Sequence, residues 1–410
     1  MSKAPKLFIP GPTHVSGDIL EVFKTPQIGH RTPEISELIS GIIKGVQEVL
    51  YTNNNIYLVS HPATGLWEMA IRNSVKKKVL HCVNGAFSNK WVKVSQAVGV
   101  EYDVLEYEWG LAVKAEDIKD KLKTGHYDAV AVVHNETSTG VMSDIESIGD
   151  MMKEFPDTYL LVDAVSSMAG VKIDVDLWGV DFILASTQKA WGLPAGFSIA
   201  SVSDRLIKRS SEIENKGYIL DVYTYEKYYS KNQTPYTPSI PHLYGLKKVL
   251  ELIKKEGLDN RWQRHKQMAK IARDWSLKMG QSLYAEKGFE SDTVTSIKND
   301  MNWDINQVNE ELLSRGFRMD RGYGSLRGKV FRISHMGNIF PQDLNEYLKN
   351  FEGELDIKNN KLFLAKINAV LENESKFSYS LRTTMKNEKI TNIFIEKPRP
   401  FINNYKSGEK

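Results

Sequence analysis

The segments TYLLVDAVSS, residues 158–167, and DFILASTQKAWG, residues 181–192, decide the fold. Each carries a short, continuous apolar run of strand length, YLLV and FILA, and each run ends in residues able to do chemistry. Unbroken apolar runs suit strands of a sheet covered on both faces, where no side chain meets water. Similar runs lie at 57–59, 78–83, 129–133 and 197–202. Between most of them stand helical patterns, GLWEMAIRNSV, NKWVKVSQAV and IESIGDMMKEF. Strand–helix–strand alternation predicts an α/β fold with a mostly parallel sheet. Ligands of such sheets bind outside the carboxyl ends of the strands. The search for chemistry therefore begins at Asp163 and Lys189, which close two successive runs.

Outward from this centre the pattern changes. Residues 241–280 read as helical, with Gly257 as an interruption. A connector of that length can join two domains. Beyond it follow an apolar run (TVTSI), a helix (NQVNEELLSRG), a strand (KVFRIS) and a helix (FPQDLNEYLKNF), a small α+β domain. The expected division is an N-terminal arm at 1–20, a large domain at 21–260, a small domain at 261–351 and an extension at 352–410. In the extension, LFLAKINAVL reads as an amphipathic helix and ITNIFIE as a strand, with no motif in either.

Composition narrows the function. In 410 residues, 41% are apolar and 26% charged, and 54 basic side chains face 51 acidic ones for a net charge of +3. That balance argues against nucleic acid as a partner, which calls for clustered basic residues. Cys82 stands alone, so no internal disulfide forms, and a reducing, cytoplasmic setting is expected. The opening MSKAPKLFIPGP lacks the apolar core of a signal peptide. No run reaches the ~18 apolar residues of a membrane-spanning helix.

Seven residues carry the chemistry. A desolvated lysine at a strand's carboxyl end has a lowered pKa and can form a Schiff base with an aldehyde. Snorkelling to solvent is the plain alternative for Lys189. Asp163 closes an apolar strand and is costly to bury unpaired; capping the next segment is its alternative. Together they suit an aldehyde coenzyme with a ring nitrogen, Lys189 on the aldehyde and Asp163 on the protonated nitrogen, which is the chemistry of pyridoxal phosphate. A phosphate cup is then expected at Ala63, Thr64 and Gly65, small residues between a strand and a helix N-terminus. A ring-stacking aromatic is expected after the next strand, where Phe87 lies; core packing is its alternative. Arg332 sits inside an apolar strand, suited either to gripping a substrate carboxylate with paired donors or to a structural ion pair.

Other motifs fail. Ser186 and Lys189 spell S-x-x-K, and residues 123–125 spell K-T-G, but in inverted order and without S-D-N. No dinucleotide or phosphate-loop glycine pattern occurs. The histidines form no H-E-x-x-H, so no metal site is expected.

The series IPGPTHV, IGHRTPEI, NGAF, HNETSTGV, LLVDAVSS, STQKAWGLPAG, TPYTPSIPHLYGL and RGKVFRISHMG runs in order over residues 8–351. It resembles class V aminotransferases of the alanine/serine–glyoxylate (serine–pyruvate) type. The resemblance implies the aspartate-aminotransferase-like fold, fold type I: a large domain with a mostly parallel seven-stranded sheet and a small α+β domain. It implies pyridoxal phosphate on Lys189, with Asp163 opposite the ring nitrogen and Phe87 on the ring face. It places Ala63, Thr64, Gly65 and Gln188 on the phosphate side and Ser138 or Thr139 near the ring hydroxyl. Tyr236 and Ser239 would reach the phosphate of the neighbouring subunit, which implies a homodimer with shared active sites. Arg332 would bind the carboxylate, with His30 and Arg31 at the edge of the substrate pocket. The expected reaction moves an amino group from alanine or serine to a 2-oxo acid such as glyoxylate or pyruvate. Three rivals stay open: a phosphoserine or phosphonate transaminase using Arg315, Arg318, Arg321 or Arg327, a cysteine desulfurase, and a silent scaffold.

Overall fold

The computed structural model describes residues 4–353 together with two strands near the C-terminus, Ser380–Lys386 and Lys389–Glu396. The chain packs as two units, residues 1–352 and 353–410.

The first unit is built on a seven-stranded sheet. Its strands are β1 (Asn55–Val59), β2 (Lys78–Val83), β3 (Glu101–Glu106), β4 (Ala129–Val133), β5 (Tyr159–Asp163), β6 (Phe182–Ser186) and β7 (Ser198–Val202). Across the sheet they stand in the order β1-β7-β6-β5-β4-β2-β3. All neighbours are parallel except β7, which runs against both β1 and β6. The expected mostly parallel sheet is therefore present. Strand β3 was not legible in the sequence. Its segment EYDVLE is an edge strand, half-buried rather than enclosed, so its residues are mixed in polarity.

Two cores explain the unbroken runs. Leu160 and Val162 of β5 face one, with Leu80, Val130 and Ile183. Leu161 faces the other, with Val79, Ala131 and Leu184. Alternate residues of each central strand are buried on opposite faces, so polarity never alternates. On the second face lie α1 (Ala63–Ser74) and α2 (Ala86–Val98). Asp163 is two residues beyond Leu161, so its side chain points to the face that α1 covers.

The expected long helical connector is two helices, α3 (Ile240–Glu256) and α4 (Leu258–Lys278). Gly257 breaks them, with a positive φ of 84° that few other residues adopt without strain. Beyond it, β8 (Val294–Lys298) pairs antiparallel with β9 (Val330–Ser334), and helices cover Ile305–Ser314 and 341–353. The amino-terminal Lys6–Leu7 returns to pair with Phe317–Arg318.

In the second unit, Ser380–Lys386 and Lys389–Glu396 pair as an antiparallel hairpin, which contains the strand expected at ITNIFIE. The helix expected at LFLAKINAVL lies outside the described residues. Among the described residues no helix is long and apolar enough to cross a membrane.

Candidate active site

The carboxyl ends of β4, β5 and β6 open into one cavity of about 270 Å³. Lys189, Asp163, Phe87, Gln188, Ala63, Thr64 and Arg332 all line it. Seven residues scattered over the sequence thus share one space, as the strand-end rule requires.

Lys189 lies three residues beyond β6, in a turn held from several sides. Thr13 Oγ1 donates to the Lys189 carbonyl at 2.9 Å, and Arg261 Nη2 donates to that of Ala190 at 2.9 Å. The Lys189 Nζ donates to the Pro10 carbonyl at 2.6 Å. Gly11 must lack a side chain here, since a Cβ on it would stand 2.5 Å from that nitrogen. Enclosure by protein, with the positive charge of Arg332 second, lowers the Lys189 pKa to about 8 against the pull of Asp163 and Asp320. The amine is thus far easier to deprotonate than a lysine in water.

Asp163 is 3% exposed. Its Oδ1 accepts from the Val165 backbone N–H at 2.7 Å and its Oδ2 from the Trp67 indole N–H at 2.8 Å. Burial raises its pKa to about 7; those two donors and Lys189 oppose the rise, and the charge of Glu136 adds to it.

Phe87 lies in the first turn of α2 and stacks on Tyr323, with centroids 4.9 Å apart and planes 17° from parallel. The buried Glu136 carboxylate holds that turn, accepting from the N–H groups of Phe87 at 3.1 Å and Ser88 at 2.9 Å. An acid at a helix N-terminus satisfies donors that have no partner within the helix.

Arg332 is 4% exposed and paired. Nε and Nη2 donate to the two oxygens of Asp320 at 2.7 and 2.9 Å, and Nη1 donates to the Thr137 carbonyl at 2.9 Å. The ion pair expected as the alternative for this arginine is present, and the side chain also lines the cavity.

Several expected residues stand elsewhere. Ser138 and Thr139 are fully buried and absent from the lining; Thr137 takes that place. Ser138 Oγ donates to Glu136 Oε1 at 2.7 Å, and the Thr139 hydroxyl folds back on the Glu136 carbonyl. Gly65 makes room for the His61 ring, 2.6 Å from where its Cβ would be, and does not line the cavity. Arg31 is tied to the carbonyls of Thr234 and Pro235 at 2.8 and 2.9 Å. Tyr236 donates to the Tyr218 carbonyl, and Ser239 Oγ meets His242 Nδ1 at 2.7 Å. Arg31, its neighbour His30, Tyr236 and Ser239 thus lie outside the lining of the Lys189 cavity of their own chain. Trp67, Asp320 and Tyr323 went unread in the sequence. Only Trp67 left a signal, one helical turn beyond Thr64 on the same face.

The family model for aminotransferase class-V matches residues 25–314. An uncharacterized aminotransferase of Methanocaldococcus jannaschii is 37% identical, over 81% of this chain and 87% of its own. A serine–glyoxylate aminotransferase of Methylorubrum extorquens is 33% identical, over 83% and 87%. The chain belongs to the class V aminotransferases. The crystal structure of alanine–glyoxylate aminotransferase from a Nostoc species superposes with a TM-score of 0.82 at 30% identity, covering 87% of this chain and 96% of that one. A class V aminotransferase of this kind has fold type I, is a transaminase, and uses pyridoxal phosphate.

The cavity fits that coenzyme. Gln188 Oε1, Ser186 Oγ and Asn135 Oδ1 all come from lining residues, and each is buried with no hydrogen-bond partner among the described residues. Unpaired buried polar atoms are rare unless a ligand completes them. Helix α1 starts at Ala63 with no side-chain cap, which leaves its first N–H groups for an anion. Cys82, by contrast, is buried within β2, and burial pushes its thiol pKa up, so it is no desulfurase nucleophile.

Proposed function

We propose that this transaminase moves the amino group of a small amino acid, alanine or serine, to glyoxylate or pyruvate. One observation supports the reading above others: a single cavity lined by an amine of lowered pKa, a buried acid and a buried guanidinium. Relatives named for serine and for alanine share glyoxylate in their names, which favours a small 2-oxo acid as acceptor.

Pyridoxal phosphate supplies an aldehyde for the amine and a ring that takes up electrons from the substrate's Cα. The residues do the rest. Lys189 Nζ, largely neutral at mildly alkaline pH, would take the proton from Cα and return it at the coenzyme's aldehyde carbon, and would move a proton the opposite way in the second half of the cycle. Asp163 accepts the ring nitrogen's N–H and keeps that proton in place. Phe87 covers one face of the ring and excludes water. Gln188, Ala63 and Thr64 hold the phosphate side. Arg332 fixes the substrate carboxylate with its remaining N–H groups, and so sets which Cα bond stands perpendicular to the ring. Tyr236 and Ser239, placed away from their own chain's cavity, serve the neighbouring subunit of a cytoplasmic homodimer, with His30 and Arg31 beside them.

A second reading rests on a specific feature. Arg318, Arg321 and Arg327 line an adjoining cavity of about 350 Å³ that shares Tyr323 with the first. Phosphoserine would place its phosphate there.

The test is a half-reaction panel on the coenzyme-loaded protein. Alanine, serine, phosphoserine, aspartate and aminoethylphosphonate are each scored for bleaching of the coenzyme's visible band. Alanine or serine should bleach it, and Lys189→Ala should lack the band. A response to phosphoserine alone makes the second reading correct. Bound coenzyme with no response to any donor removes the transaminase assignment for these substrates.

A further inference from the structure

Among the described residues Trp67 is the one side chain hydrogen-bonded to the Asp163 carboxylate, and no catalytic step above uses it. Its indole N–H donates to Oδ2 at 2.8 Å, with both residues buried. The tryptophan is itself fixed. Its ring stacks on Trp91, with centroids 6.1 Å apart and planes at 20°, and Trp91 Nε1 donates to the Trp67 carbonyl at 3.3 Å. Helix α1 carries Ala63 and Thr64 on the cavity wall, and one turn later Trp67 returns to that wall.

We infer that Trp67 is a positioning residue for Asp163, holding the carboxylate ionised and aimed at the coenzyme's ring nitrogen. The inference rests on the coenzyme reading above. Its physical core is that an indole N–H donates and cannot accept. It bonds an ionised oxygen more strongly than either oxygen of the neutral acid, and so favours the ionised form. With Val165 N–H on Oδ1, each carboxylate oxygen has one protein donor, and its remaining capacity faces the cavity. Desolvation and the charge of Glu136 press towards the neutral acid, and Lys189 alone among the charged neighbours resists them. A neutral acid could not balance a protonated ring nitrogen. The same short helix therefore presents the coenzyme's phosphate side with its N-terminus and secures the opposite end of the ring through Trp67.

The test begins without coenzyme. Protonation of Asp163 is followed by infrared difference spectroscopy of its carboxylic C=O band, identified by its absence in Asp163→Asn. In Trp67→Phe, which keeps the aromatic bulk, the midpoint should rise by about one pH unit. Pyridoxal phosphate should then bind about tenfold more weakly to Trp67→Phe. The substitution should add little in the Asp163→Asn background. An unmoved midpoint, or an equal loss of affinity in that background, overturns the inference. Indole N–H resonances of ¹⁵N-tryptophan-labelled protein give a measurement that needs no Trp67 variant. One of them should shift with the Asp163 titration and stay fixed in Asp163→Asn; no response from any of them overturns the inference. Failure of the wild-type protein to bind coenzyme would instead fault the coenzyme reading, since the titration arms do not involve it.

Discussion

Asp320 grips Arg332 through two parallel hydrogen bonds, 2.7 Å from Nε to Oδ1 and 2.9 Å from Nη2 to Oδ2. Thr137 takes a further N–H through its carbonyl. In the proposed function, a substrate carboxylate would meet the outer N–H groups of Nη1 and Nη2, on a guanidinium held in place by Asp320 and Thr137. Arg332→Ala should raise the KM for the amino donor about 100-fold, the worth of about two charge-assisted hydrogen bonds. Coenzyme affinity, read by titration of the visible band, should change by less than about threefold. Equal losses in both would assign the arginine to structure alone.

The buried acid makes stability depend on pH in the coenzyme-free protein. The Asp163 pKa rises from 3.8 unfolded to about 7 folded. Between those values the native state binds the extra proton, so stability falls as pH rises from about 4 to about 7. The upper bound is about 4 kcal/mol at about 1.4 kcal/mol per pKa unit. Lys189 acts in the opposite sense. Its pKa falls from 10.5 to about 8, so its contribution is complete above about 10.5 and is lost as pH drops through about 8. Urea unfolding at pH 5 and pH 7.5 should show wild type losing stability while Asp163→Asn changes much less. Parallel curves for the two proteins would contradict the assignment.

Arg261 connects the long helix α4 to the Lys189 turn. It is 1% exposed, and it donates to the carbonyls of Ala169 at 2.7 Å and Ala190 at 2.9 Å and to Glu256 at 3.1 Å. Arg261→Met keeps the bulk but strands two carbonyls. It should cost about 3 kcal/mol in urea unfolding. Coenzyme affinity should fall too, because Ala190 adjoins Lys189. Loss of stability with unchanged affinity would mean that the turn is held without it.

Gly85 is required by close approach. A Cβ there would stand 2.3 Å from Glu136 Cγ and 2.7 Å from Ser138 Oγ. Gly85→Ala should push Glu136 off the first turn of α2, destabilise the protein by about 1–3 kcal/mol and raise the coenzyme Kd by moving Phe87. Calorimetry and a coenzyme titration would check both. An unchanged Kd would show that Phe87 is fixed by packing on Tyr323 alone.

The sequence was legible where one residue's neighbours along the chain decide its setting. Asp163 and Lys189 end apolar strands, and strand ends of a parallel sheet open on one side, so their meeting followed from pattern. Phe87, four residues past β2, and Arg332, inside β9, line the same cavity. The short motif ETSTG was harder. It marks a tight turn, but which side chain faces outward depends on Glu136 reaching back to α2, so Thr137 lines the cavity while Ser138 and Thr139 do not. Edge strand β3 was missed because one-sided exposure erases the continuous apolar run.

By itself, the sequence determined the sheet, the lysine–acid pair and the family, because each is written in local periodicity or in an ordered series of motifs. Only the tertiary structure decided that Asp320 would neutralise Arg332 and that Trp67 would donate to Asp163. Those pairs join residues 12 and 96 positions apart. Hydrogen bonds of that kind depend on how helices and loops dock in space, and no spacing along the chain encodes them.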